Sequence, residues 1–221
     1  VRLALAEVQP DYRLRATASL AEGDIHALGD MGFAQLVNRT GRGRCALTLQ
    51  ARTAPAGQAP YQSLVPLVGD DGQALASVAE AVQAYLRASE QLDACLVLAA
   101  GPTAATGLML QRMPGEGGHS SASTEQARAQ FDHLATLARS LTPGELLSLD
   151  NATVLRRLFW QDGLRIVEAC TDERAPRFAC TCSRERVMRM IVGLGVEEAR
   201  SIIDEQGAIQ VHCEFCGIGY R

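Results

Sequence analysis

The sequence has no lysine, so all 21 basic residues are arginine, and only 5% of its residues are aromatic. We attribute the missing lysine to genome composition rather than to function. The net charge is −4 and no basic cluster stands out, which argues against a nucleic-acid partner. No run of about 18 apolar residues occurs, so we predict no membrane-spanning helix and no membrane partner.

Export signals and catalytic motifs are also lacking. The first residues are too few and too polar for a signal peptide, so we expect reduced thiols and a cytoplasmic location. There is no P-loop, nucleophile elbow or HExxH motif. His26, His119 and His133 have no catalytic spacing to Asp, Ser or Cys. We therefore predict that the protein is not an enzyme.

Four of the seven cysteines form two tight pairs near the C-terminal end, Cys180-Thr-Cys182 and Cys213-Glu-Phe-Cys216. A tetrahedral zinc site needs four soft ligands at one point, and two short cysteine loops can supply them. Gly217 follows the last cysteine, where a tight metal-binding turn often needs a positive φ. We interpret the four cysteines as thiolate ligands of one Zn²⁺ per chain.

Other interpretations of these cysteines stay open from the residues alone. Two separate disulfides would suit a secreted protein, and Cys213-x-x-Cys216 is also the spacing of a thioredoxin-like redox motif. That motif opens a helix, whereas here it follows a strand-like run at 208–212. His212 is expected to be a neighbour of the site rather than a ligand, because four cysteines are available.

The other three cysteines stand apart in the sequence. Cys45 and Cys95 lie on predicted strands and are expected to be plain buried thiols. Cys170 is also a candidate for a reactive thiol. Arg184 and Arg186 follow the first cysteine pair, where they either offset the charge of the thiolates or form an exposed helical turn.

Hydrophobic periodicity predicts a β-rich first third followed mainly by helices. Strands are predicted within residues 1–20 (two), 45–53, 61–68, 95–100, 107–113, 165–170 and 208–212. Helices are predicted at 73–90, 124–141, from 143 on, 152–160, 183–192 and 197–206, with Ser123 and Gln126 as a capping box before the second.

The fold class that we predict is α+β, in three parts. Residues 1–141 form a β-rich domain with packed helices, and residues 142–179 form a helical, metastable connector with little apolar surface of its own. Residues 180–221 form a small zinc-binding module. About forty residues rarely support a core alone. Metal binding must therefore supply much of the module's folding free energy, roughly 10–16 kcal/mol in comparable modules.

The cysteine segments 180–186 and 213–217 together resemble the redox-regulated 33 kDa chaperonin family, or heat shock protein 33. Segments 85–92, 107–111 and 131–137 resemble family signatures in the same order, so the resemblance covers essentially the whole chain. Family members carry further chain at both ends. We therefore expect this chain to be part of a longer protein.

The resemblance implies an ATP-independent holdase that oxidation activates. In the reduced, inactive protein, Cys180, Cys182, Cys213 and Cys216 hold zinc. Under oxidative stress the disulfides Cys180–Cys182 and Cys213–Cys216 form, zinc leaves, and the connector and the zinc module unfold. The active protein binds unfolding client proteins and is expected to be a homodimer.

In this interpretation residues 1–141 are the client-binding chaperone domain, 142–179 the redox-sensitive connector and 180–221 the redox-switch domain. A zinc-ribbon module for nucleic acid or a protein partner is the main alternative. Residues 180–221 carry five arginines against six acidic residues, which disfavours the nucleic-acid version. A thiol–disulfide oxidoreductase that uses Cys213 and Cys216 is the third hypothesis.

Overall fold

The structure is a computed structural model that describes residues 3–20, 31–51, 53, 58–113, 121–167 and 175–221, without the side chains of 121–124. The chain divides into two compact units. The larger unit is His26–Val167. The smaller unit joins Val1–Ile25 to Glu168–Arg221.

Helices and strands alternate irregularly along the chain, which confirms the predicted α+β class. In chain order the elements of the described residues are β1 (Leu3–Val8), β2 (Arg13–Ser19), α1 (Phe33–Val37), β3 (Arg44–Leu49), β4 (Tyr61–Pro66), α2 (Val78–Glu90), β5 (Ala94–Ala100), β6 (Ala105–Gln111), α3 (Ser121–Arg139), α4 (Pro143–Ser148), α5 (Asn151–Phe159), β7 (Arg177–Phe178), α6 (Arg184–Leu194), α7 (Val196–Gln206), β8 (Val211–His212) and β9 (Gly219–Tyr220). None of the described helices combines the length and the hydrophobicity that crossing a bilayer requires.

The larger unit is built on two antiparallel hairpins covered by helices. β3 pairs with β4 and β5 pairs with β6. Helix α2 packs on β3, β4 and β5, while α3 and α4 pack on β5 and β6 and α5 packs on α3. The buried apolar side chains of the described residues all belong to this unit: Val65, Leu67, Leu75, Ala81, Tyr85, Cys95, Ala99, Ala135, Ala138, Leu141, Leu146, Val154 and Phe159.

Capping residues set where the helices of the larger unit begin. The Ser77 hydroxyl accepts a hydrogen bond from the Glu80 backbone N–H at 3.1 Å, so α2 begins at Val78 and the predicted start at residue 73 is wrong. Helix α3 begins at Ser121, which places Ser123 inside the helix and makes the predicted capping box there wrong.

The predicted start of α4 at residue 143 is confirmed, and α5 begins one residue before its predicted start at 152. Thr142 and Glu145 form a capping box before α4, with Pro143 at its first position. Asp150 accepts a hydrogen bond from the Thr153 backbone N–H at 2.9 Å and caps α5.

The expectation that residues 142–179 have little apolar surface of their own is wrong for the first half of that segment. Leu146, Val154 and Phe159 are only 5–6% exposed and belong to the two clusters that pack on β5. These apolar side chains face the interior, so α4 packs on β5 and β6 and α5 packs on α3. Residues 165–167 form no strand, and the rest of the predicted strand at 165–170 lies outside the described residues.

The smaller unit contains a three-stranded sheet, two helices and a short hairpin. β2 pairs antiparallel with β1 and parallel with β7, and β8 pairs with β9. None of its described side chains is fully buried. The three functional parts predicted from the sequence do not coincide with the two compact units, and that division stays a prediction.

The apolar spacing of α6 predicts that Val187, Met188 and Ile191 point inward, and that of α7 predicts the same for Ile203. Val187 and Ile191 are half-buried, but Met188 is 51% exposed and Ile203 is 46% exposed. Helix α6 ends at Leu194, two residues beyond its predicted end at 192. The smaller unit therefore has little apolar packing of its own.

The packing of α5 gives the first testable prediction. Phe159→Ala removes a ring that is 5% exposed and leaves a cavity, so the free energy of unfolding should fall by about 3–5 kcal/mol. The next residue is a matched control: Trp160 is 74% exposed, and Trp160→Ala should change the free energy of unfolding by less than about 0.5 kcal/mol. Urea denaturation followed by far-UV circular dichroism measures both. Equal losses from the two variants would contradict this packing.

Candidate metal centre

Two short chain segments bring the paired cysteines together. β7 leads into Cys180, and Cys182 stands directly before Ser183, the residue that caps α6. β8 leads into Cys213, and the turn up to Cys216 is closed before β9. Both pairs thus lie in tight loops between regular elements, which limits the motion of their sulfur atoms.

Backbone hydrogen bonds fix the second loop. The Gly217 N–H donates to the Cys213 carbonyl oxygen at 2.8 Å, and the Cys213 N–H donates to the Ile218 carbonyl oxygen at 3.0 Å. Gly217 has φ of 73°, which confirms the positive φ expected after the last cysteine. A side chain at position 217 would strain the turn that places Cys216 in the sulfur cluster.

The four sulfur atoms form one cluster, and all lie within 4.8 Å of one another. Cys180 Sγ is 3.5 Å from Cys213 Sγ, and Cys182 Sγ is 3.4 Å from Cys216 Sγ. Zinc–sulfur bonds of about 2.3 Å in a tetrahedron imply sulfur–sulfur distances of about 3.8 Å. The cluster therefore suits a tetrahedral metal ion with four thiolate ligands. In the described part of the chain no other group of His, Cys, Asp and Glu ligands converges in this way.

The ionisation of the cluster shows why it suits a cation. The backbone N–H of Cys182 and the neighbouring thiols lower the pKa of Cys180 to about 6, although burial opposes the shift. For Cys216 the backbone N–H of Ile218 lowers the pKa, but burial and the sulfur atoms of Cys182, Cys213 and Cys180 outweigh it and raise the pKa to about 12. Deprotonation of the first thiol is favoured, whereas the negative charge of the neighbouring thiolates opposes deprotonation of the last. A bound divalent cation would remove this electrostatic cost.

Among the described residues, two side chains outside the four cysteines contact the sulfur atoms, and sequence reasoning missed both. The Tyr220 hydroxyl donates to Cys182 Sγ at 3.1 Å, and this contact raises the pKa of Tyr220 to about 12. Arg15 Nη1 lies 3.9 Å from Cys180 Sγ. Tyr220 was detectable as an aromatic residue four positions after Cys216. Arg15 is 165 residues from its cysteine, and no local signal points to the contact.

The arginines expected near the first pair have a different arrangement. Arg186 Nη1 donates to the Thr181 carbonyl oxygen at 2.8 Å, so this side chain braces the loop between Cys180 and Cys182. Arg184 is an exposed residue at the first position of α6. The guanidinium that contacts a sulfur atom is that of Arg15.

The remaining candidate residues lie apart from the cluster. His212 is exposed on β8 and is not part of the converging group. Cys95 is buried and its thiol donates to the Ala135 carbonyl oxygen, which confirms a plain buried thiol, while Cys45 is half-buried, with its pKa raised by burial. His133 is exposed on α3. The predictions for Cys170, His26 and His119 fall outside the described residues.

Comparisons with known proteins agree on one family. The family model described as "Hsp33 protein" matches residues 1–221. The chain is 39% identical over 225 residues to the 33 kDa chaperonin of Neisseria meningitidis, with all of this chain and 65% of that protein covered. It is 35% identical over 221 residues to the 33 kDa chaperonin of Chromobacterium violaceum, with all of this chain and 66% of that protein covered. The chain thus spans about 65% of the length of these relatives.

A solved structure supports the fold. The crystal structure of a heat shock protein 33 homologue from Thermotoga maritima is similar to the described fold, with a TM-score of 0.68. The similarity covers 98% of this chain and 68% of that chain at 19% sequence identity. At this identity the likeness bears on the fold alone.

The sulfur geometry predicts a cobalt-binding test of the cluster. The reduced chain should bind one Co²⁺ and develop the thiolate charge-transfer and d–d absorption bands of a tetrahedral all-sulfur site. Cys216→Ser should remove one thiolate and weaken or abolish these bands. Cys45→Ser, which changes a thiol outside the cluster, should leave them unchanged. An octahedral spectrum in the reduced chain would rule out a four-thiolate site.

Proposed function

The chain belongs to the Hsp33 family, and from this premise we propose that it is an ATP-independent holdase chaperone under redox control. The observation that carries the proposal is the cluster of four cysteine sulfur atoms at the centre of a unit without any fully buried described side chain. Curated relatives carry the name 33 kDa chaperonin, which supports the binding of unfolding client proteins. The protein acts as a binding protein rather than an enzyme.

Zinc is the metal that we assign to the cluster. It accepts four cysteine thiolates without a redox change of its own, and it suits the sulfur spacing described above. Cys180, Cys182, Cys213 and Cys216 would hold it in the reduced chain. When bound, zinc keeps all four sulfur atoms as thiolates at neutral pH and neutralises half of their charge.

Oxidation of the thiolates is the step that starts activation. Two thiolates give two electrons to one peroxide molecule, which takes up two protons and leaves as two water molecules while one disulfide forms. Two peroxide molecules thus convert the four thiolates into two disulfides. A disulfide sulfur is a poor metal ligand, so the cluster then loses its affinity for zinc.

Loss of the cluster leaves the smaller unit with little else to hold it. Its described side chains are at best half-buried, so apolar packing supplies little stability there. We propose that residues 180–221 unfold first, as the redox-switch domain, and that the connector at 142–179 follows. Unfolding of the connector would uncover Leu146, Val154 and Phe159, together with the surface of β5 beneath them.

The newly uncovered apolar surface is the proposed binding surface for clients, on a chaperone domain that comprises residues 1–141. Exposed apolar area of this kind binds unfolded chains without a need for nucleotide. The same surface favours self-association, so we propose a homodimer in the oxidised state. The cytoplasm, where thiols are reduced at rest, is the compartment in which such a switch responds to oxidative stress.

The proposal predicts coupled changes in zinc content, thiols and chaperone activity. Peroxide at raised temperature, or hypochlorite, should release one zinc per chain, consume four thiols and increase the suppression of client aggregation several-fold. Cys213→Ser should hold less zinc when reduced and lose the dependence of activity on oxidant. Cys45→Ser is the matched control and should behave as the parent chain. Unchanged zinc content and unchanged activation in Cys213→Ser would refute the switch.

Peptide mapping with trypsin can test the disulfide pairing. The chain has no lysine, so trypsin cleaves only after arginine and leaves the two cysteine pairs on different peptides. Trypsin releases Cys180 and Cys182 on the peptide 178–184, and Cys213 and Cys216 on the peptide 201–221. Disulfides within each pair should leave these two peptides separate without reductant, each two mass units lighter than its reduced form. Disulfides across the pairs would link the two peptides and contradict the proposed pairing.

A further inference from the structure

Hairpin β1–β2 reaches the cysteine cluster through one arginine. Arg15 on β2 is 16% exposed at its side chain, and Nη1 lies 3.9 Å from Cys180 Sγ. The same guanidinium stacks over the Phe215 ring, with 4.0 Å from Cζ to the ring centroid. Phe215 lies between Cys213 and Cys216 in the second loop. One planar cation therefore touches both cysteine loops at once.

The position of this guanidinium is set from its own hairpin. Glu7 stands directly opposite Arg15 in the β1–β2 register, and its carboxylate accepts a hydrogen bond from Arg15 Nε at 2.7 Å. Two residues further along the same face of β2, the Thr17 hydroxyl donates to the Glu214 carbonyl oxygen at 2.9 Å. The side of β2 that carries Arg15 and Thr17 is the half-buried side, and its apolar side is exposed.

The pattern of burial is the reverse of an ordinary amphipathic strand. A strand normally buries its apolar face, which on β2 carries Leu14, Ala16 and Ala18. Here Leu14 is 37% exposed, while Arg15 is covered. The hairpin is therefore oriented in this unit by its pairing with β7 and by polar contacts to the cysteine loops, not by apolar burial.

We propose that Arg15 is a positioning residue of the cysteine centre: it clamps the two cysteine loops together and ties hairpin β1–β2 to the state of the cluster. This inference rests on the proposed function, since it names a residue that regulates the same switch. The guanidinium donates to a thiolate and offsets part of the residual negative charge of a four-thiolate zinc site. The N–H groups of the guanidinium contact Cys180 and Glu7, and its flat face stacks on Phe215. A lysine ammonium has neither the divergent N–H groups nor the flat face.

The first consequence is tighter metal binding. Loss of a hydrogen-bond partner of a metal ligand typically weakens metal affinity by about 10-fold to 100-fold. Arg15→Ala should weaken zinc affinity by an amount in that range. Arg15→Lys keeps the charge and should still lose about 10-fold, because an ammonium cannot contact the sulfur atom, the ring and Glu7 together.

The second consequence is that the hairpin responds to the metal. When zinc is removed from the parent chain, the amides of β1 and β2 should exchange with deuterium faster, because the Cys180 and Phe215 contacts of Arg15 lose their fixed positions. In Arg15→Lys the same amides should exchange faster even with zinc bound. A residue that only stabilised the fold in general would not produce a signal confined to the hairpin and the cysteine loops.

The experiment compares the full parent chain with Arg15→Ala, Arg15→Lys and Arg13→Lys. Arg13 is the matched control, because it lies on the same strand and its ion pair is with Asp11 of the adjoining turn. Zinc affinity is measured by competition with a chromophoric chelator, and hydrogen exchange is read by mass spectrometry. The inference predicts weaker affinity and a looser hairpin for both Arg15 variants, with Arg13→Lys within about twofold of the parent chain.

The outcomes separate this inference from the proposed function. If the Arg15 variants match the parent chain in zinc affinity and in hairpin exchange, Arg15 is not a positioning residue. An equal loss in Arg13→Lys would likewise overturn the inference, because the effect would belong to the strand in general. Failure of the parent chain itself to release zinc on oxidation would overturn the proposed function, while leaving the comparison of affinities intact. Far-UV circular dichroism verifies that each variant is folded.

Discussion

Mutual repulsion between four thiolates is the constraint on which the smaller unit depends. Their sulfur atoms lie within 4.8 Å of one another, and the pKa of Cys216 is raised to about 12 in the company of the other three. Without a cation the cluster cannot be fully ionised at neutral pH, and protonated thiols are weak hydrogen-bonding partners. A cation bound among the four sulfur atoms would therefore stabilise the geometry of the cysteine loops.

The two units differ in what makes them stable. In the larger unit, buried side chains such as Tyr85 and Cys95, each 1% exposed, pack between sheet and helices and do not depend on redox conditions. In the smaller unit no described side chain is fully buried, and the sulfur cluster occupies the place of a core. A chemical event at the four sulfur atoms would therefore act first on the smaller unit, as the proposed function requires.

Local signals predicted local structure well and long-range contacts poorly. Alternation of apolar residues revealed most strands, and the predicted helix start at Pro143 is confirmed. The two-residue strand β7 is too short to show a period, so it was missed. The convergence of the four cysteines was predictable because the short spacing within each pair is a local signal of metal ligation. Arg15 could not be found in this way, because its approach to Cys180 is fixed by the pairing of β2 with β7, which joins distant parts of the chain.

The pairing of the cysteines decides whether oxidation loosens or tightens the fold. In the structure the shortest sulfur distances run across the pairs, from Cys180 to Cys213 and from Cys182 to Cys216. A first disulfide across the pairs would close a loop of more than thirty residues and stabilise the unit by about 4 kcal/mol, whereas a disulfide within a pair closes a tiny loop and contributes about 1.5 kcal/mol. With disulfides only within the pairs, no bond through sulfur joins the two cysteine loops. A metal ion bound to all four sulfur atoms would link distant segments of the chain. Under the proposed function, its loss together with pairing inside each loop would replace that link by two local ones. That conversion would destabilise the fold while it protects the thiols from further oxidation.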